Sequence, residues 1–448
     1  MKLKTARKFI HAAIVMSVIG VYPASVMHAQ ASGALENGVS GRATALGGTT
    51  VASVASPLEA MQSNPATLTQ LSGRSLDLSV TSLFATGSFS NSVSSSGNIV
   101  TSAGTVPYGA FSTPIGSGRF KLGFAVAPDT LMTANWKYLD PPGGLGGTSY
   151  GLQQNKSAIL AMRSSVGLGF VVNRKLSIGG TFGAIYNSNT LHAPYIFQEQ
   201  PTLAGAKTLL DLQTSGVGWN GSFGALVTAS SKLRFGLAYK TATNVHSHGN
   251  ASGNAGAQFA TLGANFRPDF HYNAEVDNRF PQAFSGGVSW QAHPRARVNL
   301  QANWINWSDA FKSLPVKLTN GNNADINSLV GSNSMEDFVP LHWRDQGVFG
   351  ISIETPVGEH LAFRSGYSYA TNPVPSGTLT PMTAAILQNT IATGVGYARG
   401  HYALDLAYQV QLPATARVEQ SSLLSGEYDN SRVEVAVHSV TLTNRFNF

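Results

Sequence analysis

"RSLDLSVTSLF", residues Arg74 to Phe84, decides the fold. Leu76, Leu78 and Val80 fall on one side of an extended chain and Ser75, Asp77, Ser79 and Thr81 on the other, because successive side chains of a strand point to opposite faces. The pattern recurs down the chain. In "KLRFGLAYK" Leu233, Phe235, Leu237 and Tyr239 oppose Lys232, Arg234, Gly236, Ala238 and Lys240. In "HYALDLAYQVQL" Tyr402, Leu404, Leu406, Tyr408 and Val410 oppose Asp405, Gln409 and Gln411. The period-2 rule predicts strands at 74–90, 104–115, 118–128, 156–172, 174–192, 214–229, 231–248, 278–292, 295–312, 342–355, 358–371, 388–401, 402–418 and 430–448. That is about fourteen, an even number.

The connections carry the next step, since they alternate short and long. Gly116-Ser117-Gly118, Asn173-Arg174, Ser230-Ser231, His293-Pro294 and Gly358-Glu359 suit tight turns, whereas 129–155, 193–213, 249–277, 313–341 and 372–387 are long. A soluble sandwich has no reason to put all its long loops at one end. A transmembrane antiparallel β-barrel of the outer membrane does. Aromatic residues near strand ends (Tyr108, Trp136, Tyr138, Trp290, Trp304, Trp307, Trp343, Tyr367, Tyr369, Tyr402) fit interface girdles, and the chain ends on Phe448, a signal read by barrel assembly machinery.

Composition agrees. The 448 residues include 47 Gly and no Cys, and only 11% are charged, with a mean hydropathy near zero. One apolar run stands out, in "ARKFIHAAIVMSVIGVYPASVMHAQASG" behind Lys2, Lys4, Arg7 and Lys8. Its core stops near Val21, short of a membrane span, so residues 1–31 read as a secretory signal cleaved after Ala29 or Ala31. The net charge of +7 comes with no basic cluster beyond that signal, which sets nucleic acid aside.

Residues 32–73 do not alternate and are rich in Gly, Ala, Ser and Thr. Within them "SPLEAMQSNPATLTQLSG" (Ser56–Gly73) is a helical stretch broken at Asn64-Pro65, where proline removes a donor and fixes a bend. About eight strands already fill a barrel with their own side chains, so a fourteen-stranded lumen needs a plug, and 32–73 would supply it. Residues 74–448 form the barrel proper.

At this point the sequence resembles the FadL-type outer-membrane transporters of long-chain fatty acids and hydrophobic compounds. The resemblance rests on Gly41-Arg42-Ala43, on Asn64-Pro65-Ala66, and on "FPQAFSGGVSW", "NWINWSDAFKSLPVKL" and "PLHWRDQGVFGISIETPVGEHLAFRSGYSYATNPVP". It implies an N-terminal hatch inside the barrel braced by the Asn-Pro-Ala turn, a monomer among outer-membrane lipid and lipopolysaccharide, and passive uptake without cofactor. It also implies a first ligand groove in the extracellular loops and a sideways exit when the hatch shifts. The chain departs from the family in its shortened start, "SGALENGVSG", leaving Leu35 as the residue to reach the ligand.

The loops carry apolar clusters of the kind that mark a binding surface: Leu203, Leu209, Leu210 and Leu212 at helical spacing, and Phe259, Leu262, Phe266 and Phe270. Arg364 shares the lumen side of its strand with Ala362, Gly366 and Ser368. A cation there suits a carboxylate head group, with an ion pair to Asp77, Asp405 or a hatch glutamate as the other reading. An uncharged aromatic hydrocarbon is the alternative cargo. A barrel enzyme would need His342 with Asp345, or His401 with Asp405, plus a nucleophile, and none accompanies either pair. His246 and His248 lack further metal ligands, and no phosphate-binding loop exists to use nucleotide.

Overall fold

A computed structural model describes residues 38–100, 104–116 and 118–448; the expected signal segment and Leu35 lie outside them. Among the described residues no helix is long and apolar enough to cross a membrane, and strands do the crossing. Fourteen antiparallel strands close on themselves: β1 (Ser75–Ser90), β2 (Gly104–Ile115), β3 (Phe120–Leu139), β4 (Leu152–Val171), β5 (Leu176–Ile196), β6 (Lys207–Thr228), β7 (Leu233–Lys240 and Thr243–Asn254), β8 (Asp269–Phe280 and Ala283–His293), β9 (Ala296–Ile305), β10 (Gln346–Val357), β11 (Leu361–Ala370), β12 (Asn389–Arg399), β13 (Tyr402–Val418) and β14 (Ser431–Asn447). Closure pairs β1 with β14, from Ser75 opposite Asn447 to Ser90 opposite Arg432. A closed ladder leaves no strand edge in lipid, which is what lets a sheet span a membrane.

The alternation reads out as lipid against lumen. Leu78, Phe235, Leu237, Leu406, Phe363 and Tyr367 are exposed on the outside, while Asp77, Ala238, Asp405 and Arg364 are buried inside. The outward apolar belt ends partway up several strands. On β7 it stops at the break between Lys240 and Thr243, above which Asn244, His246 and His248 face out. This explains why the expected loops are shorter than drawn: the ladder of β3 runs on to Leu139, that of β4 starts at Leu152, and β6 starts at Lys207. Above the membrane both faces of a strand meet polar surroundings, so pairing continues while the alternation that betrays it fades. Leu209, Leu210 and Leu212 are therefore on β6, not on a helical loop. The expected loop 313–341 contains a hairpin, Ser313–Thr319 with Met335–Pro340, that pairs back onto β8.

Half of the expected girdle turns inward. Trp290, Trp304, Tyr367 and Tyr369 are exposed, but Tyr108, Trp136, Tyr138, Trp307 and Trp343 are buried. For Trp136 and Tyr138 the cause is a register shift in β3 between Pro128 and Thr130. Before it odd positions such as Lys121 and Ala125 face the lumen; after it even positions do. One extra residue in a strand inverts the facing of everything beyond it.

Residues 38–73 fill the lumen. α1 (Gly41–Ala45) is capped by Ser40, whose side chain accepts from the Ala43 amide. α2 (Pro57–Ser63) has Ser56 as its cap and proline at its first position, and a 3-10 helix over Pro65–Gln70 follows Asn64. Leu46, Leu58, Met61 and Leu68 are fully buried.

Candidate functional site

The plug meets the wall through two devices. The first is the Asn-Pro-Ala turn. Asn64 Oδ1 accepts from the Ala66 amide at 3.1 Å, while its Nδ2 donates to the Val51 carbonyl at 2.8 Å and to the Ala225 carbonyl of β6 at 3.0 Å. One side chain thus caps the 3-10 helix, ties the plug to itself and ties it to the barrel. The wall makes room with glycine: a Cβ on Gly224 would sit 1.9 Å from Asn64 Oδ1, and one on Gly179 2.5 Å from the Pro65 carbonyl carbon.

The second device is a run of buried charge. Arg42, 1% exposed, donates from Nε and Nη2 to both oxygens of Glu354 at 2.9 and 2.8 Å, and from Nη1 to Glu59 at 2.8 Å. Arg364 bridges Glu354 at 2.7 Å and Asp405 at 2.6 Å, and Arg445 bridges Asp405 at 3.2 Å and Asp77 at 3.3 Å. Asp77 closes the arc by accepting from the Leu58 amide at the start of α2, at 3.1 Å. With Arg297, 3.9 Å from Glu354, four guanidinium groups face four carboxylates. Gly41 lies against the Asp405 backbone, and its amide donates to Thr443 at 2.8 Å; Ala43 is buried beside it. Arg364 is therefore committed to two carboxylates at the plug. Of the two sequence readings of Arg364, these distances match the ion pair with Asp405, and Arg364 does not line the apolar cavity above the plug.

Above the plug, the extracellular half of the lumen encloses an apolar cavity of about 210 Å³. Met132, Ile159, Leu212, Phe311 and Trp343 line it, with Glu427 and Tyr428 of the connection 419–430. Trp307, Phe311 and Trp343 form an aromatic cluster with ring centroids 4.8 to 5.3 Å apart. A second cavity, about 40 Å³, lies outward between the loops and is lined by Leu203, Phe259, Phe270, Tyr272 and Lys207. Phe197, Leu318 and Met335 line both and form the partition between them. A third, more polar space of about 120 Å³ adjoins the plug at Gly38, Val39 and Ala43 and reaches Pro128 and Asp129 at the register shift of β3.

The predicted loop residues divide accordingly. Leu203 and Phe259 meet at the outer cavity, and Leu210 lines the inner one. Phe266 packs edge-on against Phe259 with centroids 5.4 Å apart, Leu262 is exposed, and Leu209 lines neither cavity. Phe259 sits on a single helical turn, Gly256–Thr261, so the clusters are assembled by strand ends and turns in place of the helical spacing read from sequence. Sequence reasoning missed Phe197, Asp337, Lys207 and Glu427. The one signal was Lys207 itself, a lone cation inside the apolar run "TLAGAKTLLDL".

Asp337 and Glu427 are the charged side chains on the inner cavity, and both are engaged. Asp337 accepts from the amides of Gln198, Glu199 and Gln200 at 2.9, 2.6 and 2.9 Å, and from the Tyr195 hydroxyl. Glu427 pairs with Lys207 at 2.9 Å. Burial pushes the carboxyls of Glu427 and Asp140 up from their ordinary range, with Lys207 pulling the other way. The candidate catalytic pairs dissolve: Asp345 accepts from Trp304 and Ser308, and Asp405 holds Arg364 and Arg445. His246 faces outward and pairs with Asp277 at 2.6 Å.

Residues 20–448 match the family model described as outer membrane protein transport protein (OMPP1/FadL/TodX). No curated protein matches the chain. Among solved structures, the Ralstonia pickettii toluene transporter TbuX is similar at 21% identity, over 92% of this chain and 99% of that one, with a TM-score of 0.71. The P. putida toluene transporter TodX shows 17% identity over 92% and 99%, TM-score 0.73. A Pseudomonas aeruginosa FadL homologue shows 16% over 93% and 98%, TM-score 0.70.

Proposed function

Because the chain belongs to the outer-membrane transport family of FadL and TodX, whose members carry hydrophobic compounds across that membrane, we propose that it conducts small hydrophobic molecules passively, with residues 38–73 as a movable hatch. The observation that carries this reading is an apolar cavity held above a plug in a closed barrel. A hydrophobic molecule leaves water for the loop cavity, passes Phe197 and Met335, and rests in the inner cavity. The gain is set by apolar surface removed from water, about 25 cal/mol per Å². Nothing in this path calls for a nucleotide, a metal or bond chemistry, and we read the protein as a channel, not an enzyme.

The route onward is lateral in this reading. The plug is fastened by buried ion pairs, which an apolar molecule has no means to solvate or replace. The register shift at Pro128 and Thr130 lies beside the third space and interrupts the ladder of β3. Small movements of Gly38 and Val39 would join that space to the wall.

Ser157 faces the lumen on β4 and lines the inner cavity. Ser157→Trp should fill it. Uptake of a radiolabelled aromatic hydrocarbon by cells carrying the variant should fall to the level of cells without the protein, while the barrel keeps its heat-modifiable migration. Undiminished uptake at equal surface amount would remove the cavity from the path.

A further inference from the structure

Lys207 separates the two ligand cavities. It lines the outer one, Glu427 lines the inner one, and the pair spans the boundary. The ammonium is fully buried. It donates hydrogen bonds to Asp140 Oδ1 and to the Pro141 carbonyl, both at 2.8 Å, and forms an ion pair with Glu427 Oε2 at 2.9 Å. Among the described residues no Lys, Arg or His lines the inner cavity. Of its two acids, Asp337 accepts from three backbone amides and Tyr195, and Glu427 is ion-paired with Lys207.

We infer that Glu427 is a specificity determinant: by standing as the ion-pair partner of Lys207 on the cavity side it denies that cation to the ligand and makes the inner cavity reject carboxylates in favour of uncharged molecules. This deepens the proposed function and rests on the inner cavity being the ligand site. A carboxylate placed there meets apolar walls, finds no free cation and approaches a glutamate. Burying an unpaired charge costs far more than burying a neutral group of the same shape. Size points the same way, since a cavity of about 150 Å³ walled by Leu, Ile and Phe already takes benzene. About 210 Å³ suits one ring with a short substituent.

The arrangement also predicts its own inversion. Glu427 reaches Lys207 from the cavity side, whereas Asp140 and Pro141 reach it from the connection after β3. Replacing Glu427 by glutamine substitutes a neutral amide for the charge that guards the ammonium, and an incoming carboxylate can then displace it.

Toluene and benzoate differ in charge more than in shape, and Trp343 on the cavity wall reports on either by its fluorescence. The purified full-length protein at pH 7 should show saturable binding of toluene, with benzoate about 100-fold weaker or worse. In Glu427→Gln the toluene-to-benzoate ratio should shrink about 10-fold, and in the double variant Lys207→Met, Glu427→Gln it should return toward the original. Wild-type protein that binds both ligands within about 3-fold overturns the assignment, as does an unchanged ratio in Glu427→Gln or a benzoate gain that persists without Lys207. No saturable toluene signal in the wild type overturns the cavity as ligand site, and the role of Glu427 with it. The wild-type comparison needs no variant to fold.

Discussion

Arg42→Met tests whether the ion-pair arc fastens the plug. Methionine fills much of the same space without the charge, so the loss is electrostatic more than steric. Of the two carboxylates it strands, Glu354 keeps Arg364 at 2.7 Å. Glu59, fully buried, loses its only cation among the described residues and retains the Ser40 hydroxyl and the Ala55 amide, both at 2.8 Å. Removing one partner of a buried pair costs about 3–5 kcal/mol, most of it the price of the charge left behind. The barrel wall is held by its own ladder, so that cost falls on the docking of residues 38–73. At RT of about 0.59 kcal/mol it raises the undocked population roughly 150- to 5,000-fold.

The chain has no cysteine, which makes the measurement clean. Ala60 on α2 is fully buried, and Ala60→Cys supplies a single thiol that a polar maleimide reaches only when the plug leaves its seat. Labelling should accelerate about 100-fold or more in the Arg42→Met background. Adding Glu59→Gln, which removes the stranded charge, should recover much of the protection. Arg42→Lys should fall between, because an ammonium keeps the charge but not the fork that holds both oxygens of Glu354. Equal labelling rates in the Arg42→Met and parent proteins, with both barrels heat-modifiable, would refute the fastening role.

Asn64→Ala removes the two hydrogen bonds that Nδ2 donates, to the plug carbonyl of Val51 and the wall carbonyl of Ala225, and should loosen the plug by about 1–3 kcal/mol; with Pro65→Ala it should lower hydrophobic-compound uptake while the barrel still assembles, and wild-type uptake at equal surface level would make the turn merely a helix end. The raised carboxyls of Asp140 and Glu427 hold protons more tightly in the folded loops than in the unfolded chain, so loop stability increases as pH falls from their raised values toward about 4. Hydrogen exchange of residues 140–151 and 419–430, corrected for intrinsic rates, should slow as pH is lowered from 7 toward about 4, and exchange that quickens over that range would contradict the burial assigned to them.

The barrel was legible because lipid and lumen impose opposite demands at a period of two, and Leu76-Asp77-Leu78 states both in three residues. The parity of Trp136 was not, because Pro128 and Thr130 shift the register by one and no composition rule announces a bulge. Asn64-Pro65 was legible as a break in a helical pattern, but its wall partner, the Ala225 carbonyl, is a backbone atom that no sequence pattern marks. The charged arc was hidden most deeply. Asp77 and Arg445 pair across 368 positions, and a single arginine among small residues reads equally well as a ligand contact. The clue was the scarcity of charge: in a chain only 11% charged, an arginine on a lumen-facing strand position has to be answered by an acid nearby.

That scarcity also explains why the plug is fastened by charge when the cavity above it is apolar. Leu58, Met61 and Leu68 of the plug belong to the same buried apolar cluster as Phe311 and Trp343 of the cavity wall, so apolar packing alone would let a hydrophobic ligand exchange contacts with the plug and loosen it. Ion pairs resist this because an apolar molecule offers nothing to replace a guanidinium at 2.8 Å. Water can replace it, and so can any movement that admits water from the periplasmic end. In the proposed path the ion pairs keep the plug seated while the ligand lies beside a strand whose ladder is interrupted at Pro128. The lateral route we propose takes that wall as the boundary that opens, because a register shift locally disrupts the ladder there.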